Sequence, residues 1–208
     1  MFAYIKGKYE DRGLDYVVID VSGVGYKIYM PNTCIEKLGN IGSEVKVHTH
    51  YYVREDNISI YGFISKEELR VFELMLLVSG IGCKTALNIL STISPYEFSL
   101  AVISSDIATL TKVQGIGPKA AQRIVLELKD RIKTESALQL DGVKQIQVVD
   151  SNNIQEAISA LQVLGYTVKD IKDVVNKIEN VKDMDTEEII KRALKYLGRW
   201  KYGKAISI

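Results

Sequence analysis

Val78-Ser79-Gly80-Ile81-Gly82-Cys83-Lys84-Thr85-Ala86 recurs as Val113-Gln114-Gly115-Ile116-Gly117-Pro118-Lys119-Ala120-Ala121, every matching pair lying 35 residues apart. The register holds downstream, with Ile89 over Ile124 and Leu90 over Val125. Each copy stands between an apolar helical run and a second helix. Two glycines flanking one apolar residue let the chain turn through positive φ and bring backbone N–H groups close to a ligand, with no Cβ in the way. The second glycine leads straight into a helix, whose first N–H groups lack intrahelical partners and carry the positive end of the macrodipole. The spelling predicts two helix-hairpin-helix units in tandem, with Ile81 and Ile116 pointing inward to pin each hairpin.

Such a helix start suits a phosphate. Lys84 and Lys119, two residues past the second glycine, add a full charge on the first helical turn, and Pro118 fits a position where a missing N–H costs little. The candidate phosphate ligands are therefore Gly80, Gly82, Lys84, Gly115, Gly117 and Lys119. None can read a base edge, so the expected partner is nucleic-acid backbone without sequence preference. One Gly-Ile-Gly before a helix is an ordinary loop; two copies in register carry the reading. Gly82-Cys83-Lys84-Thr85 is not a nucleotide P-loop, because no Gly-Lys-Thr/Ser triplet exists and the upstream glycine spacing is wrong. No cofactor is expected, and any ATP used belongs to a partner.

A chain of 208 residues with 47% apolar content suits two or three small domains. No apolar run reaches membrane-spanning length, and Met1-Phe2-Ala3-Tyr4-Ile5-Lys6 lacks the h-region of a signal peptide. Cys34 and Cys83 match no disulfide or zinc pattern, which favours a reducing, cytoplasmic setting. The net charge of +1 splits into −1 for residues 1–64, +1 for 65–135 and +1 for 136–208. Binding DNA then requires charge sorted onto one face, with Lys84, Lys112, Lys119, Arg123 and Lys129 as candidates.

The periodicity changes along the chain, and the expected fold class is α+β multidomain. In residues 1–64, Phe2–Tyr9, Tyr16–Val21, Gly25–Met30, Glu44–Val53 and Ile58–Phe63 read as strands, with a short helix over Pro31–Leu38; this order suggests an OB-like β-barrel. Residues 65–135 read as an all-α tandem helix-hairpin-helix domain, with capping boxes at Ser65…Glu68 and Ser94…Glu97. Residues 136–152 interleave Ser, Gln, Asp and Gly with isolated aliphatics and read as a flexible linker. Residues 153–208 read as a three-helix, UBA-like bundle suited to docking, and the basic, aromatic stretch Gly198–Lys204 as a frayed end.

Arg54-Glu55-Asp56-Asn57 lies between two barrel strands and by itself is a solvated hairpin tip. In a phosphate-binding protein the adjacent carboxylates of Glu55 and Asp56 also repel phosphate, which can bar duplex or hold strands apart. No third acid stands nearby, so a metal site is not expected there. His48 and His50 share one strand face without a third ligand, and Tyr51-Tyr52 reads as strand packing rather than a base-stacking platform.

Barrel, acidic hairpin, paired Gly-Ile-Gly hairpins, linker and small helical module, in this order, resemble the RuvA family of Holliday-junction-binding proteins over nearly the whole chain. The most specific parts are the two hairpins and Arg54-Glu55-Asp56-Asn57 running into Ile60-Tyr61-Gly62-Phe63. The resemblance implies a homotetramer, possible also as a face-to-face pair of tetramers, whose hairpins grip the arms of an open, square junction. It implies that Arg123 and Arg54 join the lysines in contacting DNA, Arg54 near the crossover, and that Glu55 and Asp56 form a central acidic pin. It further implies docking of the C-terminal bundle on the hexameric ATPase RuvB, a shared pathway with the resolvase RuvC, and no bond chemistry by the chain itself. Two rivals stand beside it. One is a glycosylase or nuclease accessory role, for which no base-pocket Lys or Asp and no carboxylate cluster is evident. The other is a general DNA-binding adaptor without junction preference, against which the acidic tip argues.

Overall fold

The computed structural model describes residues 2–55, 57–142 and 152–202. Its contacts divide the chain into two compact units, Met1–Leu77 with Ile81–Ile93, and Val78–Gly80 with Ser94–Ile208.

In the first unit, alternating residues build a closed barrel. Strands β1 (Tyr4–Arg12), β2 (Tyr16–Val21), β3 (Val24–Tyr29), β4 (Glu44–Val53) and β5 (Ile58–Phe63) close in the order β1-β2-β3-β5-β4. All pairs are antiparallel except β3 with β5. Helix α1 (Asn32–Lys37) connects β3 to β4, giving the OB-type arrangement that the sequence predicts. Ile5, Tyr9, Val17, Ile19, Ile28, Val45 and Val47 fill the interior, and Cys34 and Ile35 of α1 join this core. Strand β1 runs past its expected end at Tyr9 to Arg12, because a bulge between Tyr9 and Asp11 absorbs an irregular register against β2.

Helix α2 (Lys66–Leu76) packs on β4 and β5 at His50, Tyr61 and Phe63. Phe72 is buried, its ring 4.9 Å from that of Phe63, 5.4 Å from Tyr61 and 5.5 Å from His50. The Ser65–Glu68 capping box forms as the sequence predicts. Helix α3 (Cys83–Thr92) reaches α1: Thr33 Oγ1 donates to the Leu90 carbonyl at 3.0 Å, and the Asn32 N–H donates to Ser91 Oγ at 3.1 Å.

The second unit is helical: α4 (Pro95–Ser104), α5 (Ile107–Thr111), α6 (Pro118–Gly142), α7 (Asn152–Val163), α8 (Val168–Val175), a 3-10 turn at Val181–Asp183, and α9 (Thr186–Tyr202). Helix α4 starts with the expected Ser94–Glu97 capping box and proline at its first position. Two expectations change here. Residues 136–142, assigned to a flexible linker, continue α6; neither glycine nor proline interrupts residues 119–141, and Ala137, Leu138, Gln139 and Leu140 are good helix formers that sustain it without an apolar stripe. The remainder of that linker, 143–151, lies outside the described residues. The stretch from Gly198, expected to fray, carries α9 on to Tyr202. Gly198 is buried where a Cβ would stand 2.7–2.9 Å from ring atoms of Tyr96 on α4, so the missing side chain permits this helix contact.

Candidate nucleic-acid interface

The repeat in the sequence is a repeat in backbone geometry. Gly80 and Gly115 adopt φ of +85° and +89°, the left-handed region that glycine enters freely. Ile81 and Ile116 are buried, as are Val78 and Val113 before them and Ala86 and Ala121 beyond. Each second glycine accepts the first helical hydrogen bond: Gly82 O from the Ala86 N–H at 2.9 Å, and Gly117 O from the Ala121 N–H at 3.0 Å.

The second glycines differ from the first in what they require. Gly82 caps α3 with φ −98° and ψ 173°, ordinary extended backbone. A Cβ added at Gly82, or at Gly117, would meet no protein atom within 4 Å. The fold therefore leaves open space where any other residue would project, at the start of helices whose first-turn N–H groups lack intrahelical partners.

Charge at these two helix starts runs against helix convention. Helices α2, α4, α8 and α9 carry acids in their first turns. The first turns of α3 and α6 carry none; instead each holds an exposed lysine at its second position, Lys84 and Lys119. A cation there opposes the macrodipole and costs about 0.3–1 kcal/mol by itself. An anion bound at the same turn reverses that sign.

The other candidates fall into different surroundings. Arg54 is exposed at the end of β4, its Nε donating to Tyr52 Oη. Within the same unit, Tyr61 and the first residue of α3, Cys83, share a side-chain hydrogen bond. Burial pushes the Tyr61 hydroxyl up to about 12, reinforced by Cys83. Burial likewise raises the Cys83 thiol, against the opposing pull of the Tyr61 hydrogen bond and the Arg54 cation. Arg54 is thus brought within electrostatic range of the α3 start that carries Lys84.

Arg123 is engaged by protein: its Nη1 donates to the Ser79 carbonyl at 3.3 Å, while the Ser79 N–H donates to Glu127 Oε2 at 3.1 Å. Sequence reasoning missed Ser79 and Glu127; the spacing of Arg123 and Glu127, four apart on one helix, was the available signal. Lys129 donates to Ser105 Oγ at 2.9 Å, and Lys112 is exposed. Glu55 is exposed at the hairpin tip, whereas Asp56 lies outside the described residues. His50 Nδ1 stands 3.2 Å from Glu73 Oε1, and burial holds His48 below the usual imidazole range. Among the described residues no three His, Cys, Asp or Glu side chains assemble a metal site, and no single helix is long and apolar enough to cross a membrane.

Comparison with known proteins agrees along the chain. The RuvA N terminal domain matches residues 1–62, a SAM-like helix-hairpin-helix tandem matches 72–130, and the RuvA C-terminal domain matches 152–198. A relative from Acetivibrio thermocellus, named Holliday junction branch migration complex subunit RuvA, is 52% identical over 203 residues, covering 96% of this chain and 100% of its own length. Relatives of the same name from Ruminiclostridium cellulolyticum and Clostridium botulinum are 44% and 43% identical, each covering 95% of this chain and at least 99% of their own. With this identity sustained over nearly full length, and with barrel, twin hairpins and C-terminal helices in the matching order, the chain belongs to the RuvA family.

Proposed function

We propose that this chain binds four-way Holliday junction DNA by structure rather than sequence, as the non-catalytic DNA-binding subunit of a branch-migration complex. One observation carries this reading: two hairpins in which a left-handed glycine is followed by a second glycine with empty space at its Cβ position, at a helix start bearing lysine and no acid. Backbone N–H groups beside Gly80, Gly82, Gly115 and Gly117 then hold phosphates, with Lys84 and Lys119 supplying charge.

In this reading the chain works as a barrel with acidic hairpin (1–64), a hairpin domain (65–135) and a docking module (153–208). Arg54 lies beside the crossover. Glu55 and Asp56 form the pin, and four subunits bring eight carboxylates together, a repulsion that keeps exchanging strands apart. The assembly is a homotetramer, alone or paired, in the cytoplasm. The C-terminal bundle docks the ATP-hydrolysing motor RuvB, and RuvC resolves the junction in the same pathway. The names of the relatives support the complex and its DNA.

The test is the salt dependence of junction binding. Each phosphate neutralised contributes a slope of roughly 0.9 in log K against log salt for duplex arms. Lys84→Ala and Lys119→Ala should each weaken binding and flatten that slope. Unchanged slopes in both variants would remove the hairpins from the interface.

A further inference from the structure

We propose that the outer face of the barrel carries a single-strand binding surface, in which unpaired DNA bases stack on a row of four tyrosines, Tyr16, Tyr29, Tyr61 and Tyr52, flanked by Lys27 and Arg54. The site rests on the DNA-binding reading above but is separate from the phosphate-holding hairpins.

The register of the sheet builds the row. Tyr16 on β2 stands opposite Tyr29 on β3, and Tyr29 opposite Tyr61 on β5. Tyr61 pairs with His50 on β4, and Tyr52, two residues on, shares its face, which sets Tyr52 in this row and departs from the strand-packing role that its sequence suggests. Their neighbours Val17 and Ile28 point the other way, into the core. Ring centroids are 6.4 Å apart for Tyr16 and Tyr29, 5.8 Å for Tyr29 and Tyr61, and 6.2 Å for Tyr52 and Tyr61. All four side chains remain half-buried, in contrast to Phe72, which closes over one side of Tyr61.

Cations stand at both ends. Lys27 Nζ lies 3.9 Å from the Tyr16 ring centroid and 5.3 Å from that of Tyr29. The Arg54 guanidinium lies 5.3 Å from the Tyr52 centroid and also hydrogen-bonds its hydroxyl. This is positive charge at the ends of an aromatic track, the chemistry that holds a single strand by base stacking and backbone attraction without reading sequence.

The spacing selects the occupant. Duplex bases repeat about every 3.4 Å along each strand and turn inward, leaving only phosphates to meet a protein face. Neighbouring rings about 6 Å apart are turned edge-to-face or tilted against one another, so they can meet bases only one at a time, as in a strand whose bases are unstacked. Such bases arise where strands exchange partners, and the row ends at Arg54, directly before the hairpin of Glu55. Single-stranded DNA is therefore the occupant, in preference to duplex or a second copy of the chain.

The experiment measures binding of the full chain to a labelled oligothymidine of roughly 12 nucleotides, within the range of OB-type sites, alongside duplex and four-way junction. Tyr29→Leu and Tyr52→Leu should each weaken oligothymidine binding about tenfold, the value of one lost stacking contact, with duplex affinity unchanged. Tyr29→Phe, which keeps the ring, should restore it. A halogenated-uracil oligonucleotide photocrosslinked to the unmutated protein should label Tyr16, Tyr29, Tyr52 or Tyr61, a readout independent of variant folding. Crosslinks confined to other residues, or leucine variants that bind oligothymidine normally, would overturn the proposal. So would a change of oligomeric state in the leucine variants, which would make this face a contact between copies. Junction and duplex binding without oligothymidine binding would sink the tyrosine site alone; loss of all three would sink the DNA-binding reading itself.

Discussion

Arg123 on α6 donates from Nη1 to the carbonyl oxygen of Ser79, 44 residues earlier, while Glu127, one turn on, accepts the Ser79 N–H. Both hydrogen-bonding groups of one loop residue are thus held by a single face of a helix. Arg123 looked from sequence like another phosphate ligand. In the structure it braces the approach to Gly80, whose added Cβ would lie 3.7 Å from the same guanidinium nitrogen.

That brace separates Arg123 from Lys119. Arg123→Ala should lower stability by about 1 kcal/mol, the net worth of a typical hydrogen bond, and weaken DNA binding at the same time. Lys119→Ala should weaken DNA binding while leaving stability unchanged or raised by about 0.3–1 kcal/mol, because it removes a cation from a helix start. Urea titrations beside binding isotherms would distinguish them; equal stability losses would refute the division.

The two glycines of the first hairpin should part in the same way. Gly80→Ala places a Cβ at φ +85° and should cost about 1–2 kcal/mol of stability. Gly82→Ala meets no protein atom and should cost under about 1 kcal/mol, the range for exchanging residues at a helix cap. Its effect should instead fall on DNA affinity, because under the proposed reading the new methyl would stand between phosphate and backbone. A fold-damaging Gly82→Ala with normal affinity per folded molecule would contradict the open-space argument.

Glu68 gives a pH signature. Its Oε2 accepts the N–H groups of Ile64 and Ser65 at 3.1 and 3.0 Å, yet burial raises the carboxyl above its ordinary 4.5. A raised folded value means the stabilising contribution is full below pH 4.5 and is lost as pH rises through the folded value. Glu68→Gln keeps an acceptor oxygen and cannot ionise. The stability of the natural chain relative to this variant should therefore fall as pH climbs from 4.5 towards neutrality, measured by urea midpoints across that range. A flat difference would show that burial leaves the carboxylate unperturbed.

The acidic tip should act on discrimination rather than affinity. Replacing Glu55 and Asp56 with alanine removes two charges that repel phosphate. Junction binding should stay level or tighten, while duplex competes more effectively than before. Competition titrations that leave the junction-to-duplex ratio unaltered would deny the tip an exclusion role.

What could be read in advance follows from how local each signal is. The hairpins were legible because Gly-Ile-Gly fixes a turn, a buried pin and a helix start within a few residues, twice over. The barrel was legible from strand alternation, though the bulge after Tyr9 hid the true end of β1, since an irregular register leaves no mark on hydrophobic periodicity. Residues 136–142 were misassigned because their helix lacks an apolar stripe, and periodicity cannot see a helix that propensity alone sustains. The Gly198–Tyr96 contact, the Arg123–Ser79 brace and the alignment of Tyr16, Tyr29, Tyr61 and Tyr52 each join residues far apart in the chain. Those depend on strand register and helix packing, which a single sequence does not write down.

The most direct test of the account sets an immobile four-way junction against linear duplex of equal length, as competitors for the full chain at one stated salt concentration. The account predicts strong preference for the junction, surviving a large excess of duplex. Equal competition by duplex would contradict it, leaving two phosphate-binding hairpins without junction selectivity and removing the role assigned to Glu55 and Asp56.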